Sequence, residues 1–454
     1  MIYLTNSKYR EFSLHTRNED IKNIGDKTFD VAIVGGGITG SGIANILSEN
    51  SISAVLIEKN DFASGTSSGS SKLIHGGLRY LSGGHIVLVR ELIKERNYLL
   101  KNLDIVKKIK FDVVTGKSQW NRHEIKFGLV LYSLLENKFK MPEFYSNNYR
   151  ENSGVDGYFT YEDAMTDDST MVIYNIASAY NNGTLCFNYL ELLHFKQYNG
   201  YSVLTCFDKI NKKDVIIKAK LIINATGPWA NQVNKALELP ENAMMRLSKG
   251  VHIIFNRDYF NIKNALVFRS GIDKRQLFLI PRDHVIILGT TDTFVDSPDD
   301  FSVNNDDVEY LINSAKNLFP FVDKNDVIAS YSGIRPLMGK GHNPGKISRD
   351  FKIVDYGNVI TVFGGKLTDY RSAARKVLKI IKNKLKIEVK SRNMPYINYS
   401  RPDKDQVEFI ISHECPVYVN DLLRRRLPVL IYDPENAENF KNENIDKLSG
   451  LIGD

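Results

Sequence analysis

Two hydrophobic patterns alternate along this chain. Residues 29–34 and 53–58 are short, nearly unbroken apolar runs, the pattern of parallel strands covered on both faces. Between them Gly35-Gly36-Gly37-Ile38-Thr39-Gly40 forms a turn that opens a helix, so residues 29–58 predict a βαβ unit. Residues 220–224 and 359–363 are further apolar strands that end in small-residue turns. Residues 250–255, 276–280 and 285–288 are separated by polar turns and predict a mostly antiparallel sheet. After Lys382-Asn383-Lys384 the strand pattern stops, and residues 407–414 and 419–426 predict helices. Within residues 120–139, Phe127, Leu131, Leu134 and Leu135 recur at helical spacing among Arg122, Lys126 and Lys138.

The βαβ unit has the parts of a dinucleotide site. Gly35 permits the tight turn, Gly37 lets the backbone approach a pyrophosphate, and Gly40 allows close helix packing. The phosphates then meet a helix N-terminus, where N–H groups and the dipole favour anions. Glu58 ends the second strand at the offset of a ribose-binding acid. NAD and FAD both satisfy this pattern.

Residues 64–81 join hydroxyls, glycines and cations in one run: Thr66, Ser67 and Ser68, then His75, Gly76 and Gly77, then Arg79 and Tyr80. Such a mixture suits a phosphate-bearing cofactor beside an anionic substrate. Gly227 lies in a second turn, and Gly364, Gly365, Lys366, Leu367 and Thr368 form a third that leads into a helix. A helix start there would favour negative charge on a reduced ring.

The sequence resembles the FAD-dependent glycerol-3-phosphate dehydrogenases of the glycine-oxidase-like (DAO) flavoprotein superfamily. The likeness rests on GGGITGSGIA, GTSSGSSKLIHGGLRYL, INATGPW, KGVHIIF, IPRDHVIILGTTDT, YSGIRPL, ISRD and FGGKLTDYR, in that order. It implies an α/β protein with a Rossmann-like FAD-binding domain of glutathione-reductase type, a mostly antiparallel β-sheet substrate cap and a small helical C-terminal region. The expected division is an extension over 1–28, with a short helix at residues 8–11, and an FAD domain from 29–84, 170–245 and 345–385. The cap comprises 85–169 and 246–344, and a shortened helical domain 386–454. The reaction implied is oxidation of sn-glycerol 3-phosphate to glycerone phosphate, with electrons passed to membrane quinone or to oxygen. A related amino-acid or amine oxidase, and a flavin-binding interaction protein without turnover, are the competing readings.

The resemblance places Arg335, Arg349 and Lys366 at the substrate, with Arg79 and Tyr80 lining the same cavity. Arg335 and Arg349 would bind oxyanions through planar forks, and Lys366 would polarise substrate and flavin. His252 is the expected general base, with His75 as the competitor. Asp369 departs from the family pattern, where an uncharged small residue is usual, and is expected to cap the following helix.

Composition narrows the partners. The formal charge of +7 over 454 residues suits an anionic substrate or an acidic membrane surface. No nucleic-acid module accompanies that charge, and the arginine run at 424–426 is expected to be a solvated helix face. Cys186, Cys206 and Cys415 have no metal or redox spacing, so a reduced cytoplasmic setting without metal is expected. No signal or membrane-spanning pattern is present, so membrane attachment would be peripheral, through residues 120–139, unless that apolar stripe is buried in the cap. A homodimer is compatible with the resemblance.

Overall fold

The computed structural model describes residues 8–25, 27–117, 119–137, 139–146, 155–342, 344–347, 350–388, 397 and 399–452. An eight-stranded sheet has a parallel centre in the order Val359–Phe363, Lys213–Asn224, Thr28–Val34, Ala54–Ile57, Leu185–Phe187. The side chains of Thr28–Val34 alternate between two buried layers, which explains its unbroken apolar sequence. Val31 and Ile33 pack with Ile46, Ile173 and Val377 of the helices Ile38–Glu49, Asp168–Asn181 and Tyr370–Leu385. Ala32 and Val34 pack with Leu204 and Ile217 on the other side. There Leu190–Tyr198, Tyr201–Asp208 and the first half of Lys213–Asn224 form an antiparallel meander.

A ten-stranded, mostly antiparallel sheet stands beside it. Its longest ladders include Met245–Asn256 against Ala329–Met338, which sets Ser248 opposite Arg335 and His252 opposite Tyr331. Helix Asn305–Ala315 covers one face with Leu311 and Ile312. Leu73–Ile74 pairs with Val155–Met165 of this sheet. The chain after Gly69 therefore leaves the first sheet and enters the second. This crossing suspends the hydroxyl-rich run between them.

Three expectations need correction. Residues 8–11 are not helical; the N-terminal helix is Leu14–Lys22, started by a reciprocal cap between Ser13 and Thr16. In helix Arg122–Leu135 the buried side chains are Leu129 and Tyr132, while Phe127 is 72% and Leu134 50% exposed. The apolar stripe is thus split: Leu135 packs on Val89, Ile93 and Tyr132 and Leu131 is half-buried, while Phe127 and Leu134 face outward. Lys138 lies outside the described residues. Finally, Gln406–His413 is a helix and Val419–Asp421 continues into a wide π-type turn, Leu422–Arg426, but the arginine run is no solvated face. Arg425 and Arg426 are buried against Asp61. Cys186, Cys206 and Cys415 are free and buried.

Candidate active site

A cavity of about 560 Å³ opens at the ends of the parallel strands, lined by Val34, Ile57 and Ala225 and by Gly35, Gly37 and Glu58. Such crevices at strand ends are the usual ligand position in open α/β sheets. Gly35 has φ +109°, and a Cβ there would stand 2.7 Å from the Ala225 carbonyl oxygen. Gly40 is pressed against the carbonyl of Gly35, and any side chain would separate helix from strand. Gly37 heads helix Ile38–Glu49 without a side-chain cap. Ile38 donates its N–H to Ser67 Oγ at 2.9 Å. Glu58 accepts from Gly36 N at 2.7 Å and Asn60 N at 2.9 Å. Burial raises its carboxyl pKa, against the pull of those two N–H groups.

The opposite wall comes from the second sheet. Trp229 donates its indole N–H to Asp299 at 2.8 Å and stacks near Phe301, both from the loop after Thr293–Val295. Lys59 lies 4.5 Å over the indole ring.

A second cavity of about 750 Å³ continues from the first. The two share Thr66, Ser70, Pro336, Gly365, Lys366 and Leu367, so together they form one slot. Lys366 stands where they join, and Arg79 and Arg335 line the second cavity. Arg335 donates to Thr290 Oγ1 at 2.7 Å, the Thr291 carbonyl at 3.2 Å and Asp292 at 3.2 Å. Asp292 is simultaneously paired with Arg275 at 2.9 Å. The guanidinium lies over Gly250, where a Cβ would overlap it. Lys366 is paired with Asp350, and its Nζ is 3.6 Å from Asp369 and 5.5 Å from the Tyr80 ring. Arg79 donates to the Tyr80 hydroxyl at 3.0 Å. Phe111, Trp120, Phe127, Leu131 and Phe278 supply an apolar wall to the rest of the cavity, with Glu124, Arg269 and Gln276 among them.

His252 lies behind this wall, 1% exposed, with Tyr331 stacked on its ring at 4.7 Å. Its Nε2 is 2.9 Å from Ser71 Oγ, and Ser71, not His252, lines the cavity. Burial, then Arg335 and Lys72, hold the imidazole pKa well below its ordinary value. The Nδ1 atom is buried without a hydrogen-bond partner among the described residues. His75 lines the cavity directly.

Residues 30–366 match the model of the family described as FAD dependent oxidoreductase. The aerobic glycerol-3-phosphate dehydrogenase of Staphylococcus epidermidis is 35% identical over 388 residues, covering 81% of this chain and 69% of that protein. That of Staphylococcus saprophyticus is 34% identical over 394 residues, covering 82% and 70%. The chain belongs to the FAD-dependent oxidoreductase family. The Bacillus halodurans glycerol-3-phosphate dehydrogenase complexed with FAD shares the oxidoreductase's fold at a TM-score of 0.77 and 23% identity, over 96% of this chain and 93% of that one. The L-alpha-glycerophosphate oxidase from Mycoplasma pneumoniae with FAD bound aligns at 0.66 and 19%, over 83% and 99%.

FAD fits the slot. The side-chain-free approach at Gly35 and Gly37, the uncapped helix start and the acid Glu58 are suited to a pyrophosphate and ribose. The shared stretch at Thr66, Gly365 and Leu367 then leads to a cavity of about 750 Å³, roomy enough for a ring system. Gly227 and Gly364 line the nucleotide half, and Gly77 and Thr368 the other. Gly40, Ser68 and Gly76 line neither: Ser68 donates to the Gly65 carbonyl, and Gly76 N binds Asp163. Arg349 lies outside the described residues. Asp369 does not cap helix Tyr370–Leu385; its carboxylate accepts the Lys366 N–H at 2.9 Å and closes the glycine turn. Burial pushes its pKa up to about 6, against the attraction of Lys366. Ser71, Thr290 and Asp292 went unassigned in sequence although each sits within a recognised motif. Asp299 and Phe301 carry no such signal, because their role depends on the second sheet reaching across the first.

Proposed function

We propose that this oxidoreductase converts sn-glycerol 3-phosphate to glycerone phosphate. The observation that carries the reading is the Arg335 guanidinium, fixed by Thr290 and Asp292 beside Arg79 and Lys366 in a cavity continuous with the cofactor slot. Relatives named for glycerol-3-phosphate dehydrogenation support the same substrate. Bound FAD supplies the hydride acceptor. Arg335 and Arg79 present planar forks to the phosphate oxygens. Lys366 polarises the alcohol oxygen, and Tyr80, braced by Arg79, positions the carbon chain. Ser71 takes the hydroxyl proton and passes its own to His252 Nε2, 2.9 Å away. The depressed imidazole pKa keeps that ring neutral and able to accept.

The electrons go on to a membrane quinone reached at the cytoplasmic face. Phe127 both lines the cavity and is largely exposed, Leu134 is exposed on the same helix, and Val87 is exposed on the neighbouring helix Ile86–Asn102. No helix among the described residues is long and apolar enough to cross a membrane, so attachment would be peripheral.

Anaerobic mixing with glycerol 3-phosphate, followed at the flavin absorbance band, tests the substrate. Bleaching is expected, and glycerol should fail to produce it. Bleaching by glycine or another amino acid, with none by glycerol 3-phosphate, would overturn the reading. Reoxidation by a soluble quinone should exceed that by air-saturated buffer. Rapid turnover in air with stoichiometric hydrogen peroxide, and no gain from quinone, would make the enzyme an oxidase.

A further inference from the structure

The buried arginines of the C-terminal region meet the turn that follows Glu58. Asp61 is 1% exposed and follows Glu58 by one short turn. It receives Arg425 Nε at 2.6 Å, Arg426 Nη2 at 2.8 Å and Asn188 Nδ2 at 3.1 Å. The arginines lie 364 and 365 residues downstream, and both are outside residues 30–366 that the family model matches. They are themselves fixed. Arg425 pairs with Asp421, which accepts the Tyr189 hydroxyl at 2.7 Å and the N–H groups of Val417 and Tyr418 at 3.0 Å. Arg426 also donates to the Glu414 carbonyl at 3.0 Å.

From Asp61 the hydrogen bonds run to the nucleotide end of the slot. Ser64 N donates to the Asp61 carbonyl at 3.2 Å, and Ala63, in a left-handed conformation at φ +63°, donates to the Gly36 carbonyl at 3.0 Å. Asn60 N holds one oxygen of Glu58, and Gly36 N holds the other. The 58–64 turn thus connects the arginine pair to the carboxylate and the glycine turn that line the nucleotide half of the slot. A buried ion cluster of this kind is a poor source of stability, since desolvating its charges costs about what their attraction returns. It does fix geometry.

We propose that Arg425 and Arg426 are positioning residues for FAD: through Asp61 they set the 58–64 turn, and so hold Glu58 where a ribose can use it. Calorimetric titration of apoprotein with FAD tests this without any substrate, so its outcome stands apart from the substrate reading. Arg426→Lys keeps the charge but loses the fork, and should raise the FAD dissociation constant by about tenfold. The gap in melting temperature between apoprotein and FAD-loaded protein should shrink correspondingly. Asp61→Asn, a near-isosteric change, should do the same if Arg426→Lys does not fold. In the Asp61→Asn background, Glu58→Gln should cost less FAD affinity than it does alone, because the turn is already released. A dissociation constant within about twofold of the parent in either folded variant, with both melting temperatures lowered together, would overturn the proposal.

Discussion

Arg335 has little freedom: Gly250 leaves room beneath its guanidinium, and Thr290, Thr291 and Asp292 occupy donors on two of its nitrogens. Arg335→Lys should therefore lower kcat/KM for glycerol 3-phosphate by about 1.5–3 kcal/mol, the scale of a charged hydrogen bond, with flavin content unchanged. Ser71→Ala should slow anaerobic flavin reduction by roughly 100-fold, as His252→Ala should, because the two groups act in series. If Ser71→Ala is silent in stopped-flow while His252→Ala is slow, the relay is wrong. Asp369 gives a pH signature. Its carboxyl titrates near 6 when folded and near 3.8 when not, so the native state binds more protons between those values. Stability from this group is present at low pH and falls as pH rises from about 4 to 6, then stays level. Thermal melts of Asp369→Asn should lose that slope. The wild-type slope persisting in the variant would place the titration elsewhere.

At the scale of elements, the same substitution should have opposite effects at two glycines. Gly69 abuts Ser332 and Gly333 of the strand that carries Arg335, and a Cβ there would overlap the Ser332 carbonyl. Gly69→Ala should destabilise by about 1–3 kcal/mol, the usual cost of overpacking, and lower flavin content. Gly128 sits in helix Arg122–Leu135 with nothing near its Cβ direction. Gly128→Ala should stabilise that helix by up to about 1 kcal/mol. Denaturant melts of both variants decide the pair. The elements themselves were unevenly legible. Thr28–Val34 was plain in sequence because both its faces are buried, whereas the first half of Lys213–Asn224 alternates with solvent and gave only its buried end, 220–224. The run Arg424-Arg425-Arg426 suggested a wet surface because its partner Asp61 is remote in sequence; pairing across 364 residues leaves no local periodicity to detect.

For the whole molecule, the motifs conveyed the fold, the family and a site at the junction of two domains, while the side-chain contacts across that junction remained hidden. Ser71 and Thr290 were visible as motif letters, but their place beside His252 and Arg335 follows only from the tertiary fold. Membrane attachment also belongs to this scale. Binding to anionic vesicles should fall as salt screens the basic surface over about 8–10 Å. Phe127→Ser should weaken binding without lowering the melting temperature, since its side chain is already 72% exposed. A large loss of stability in that variant would show the residue to be structural. The chain's two tryptophans stand in different halves of the slot, Trp229 against the nucleotide half and Trp120 at the apolar end of the other. The protein therefore carries two native optical labels. With Trp120→Phe, ultraviolet emission would report on the nucleotide end alone, and with Trp229→Phe on the apolar mouth alone, so occupancy of the two ends can be timed separately without attaching a dye.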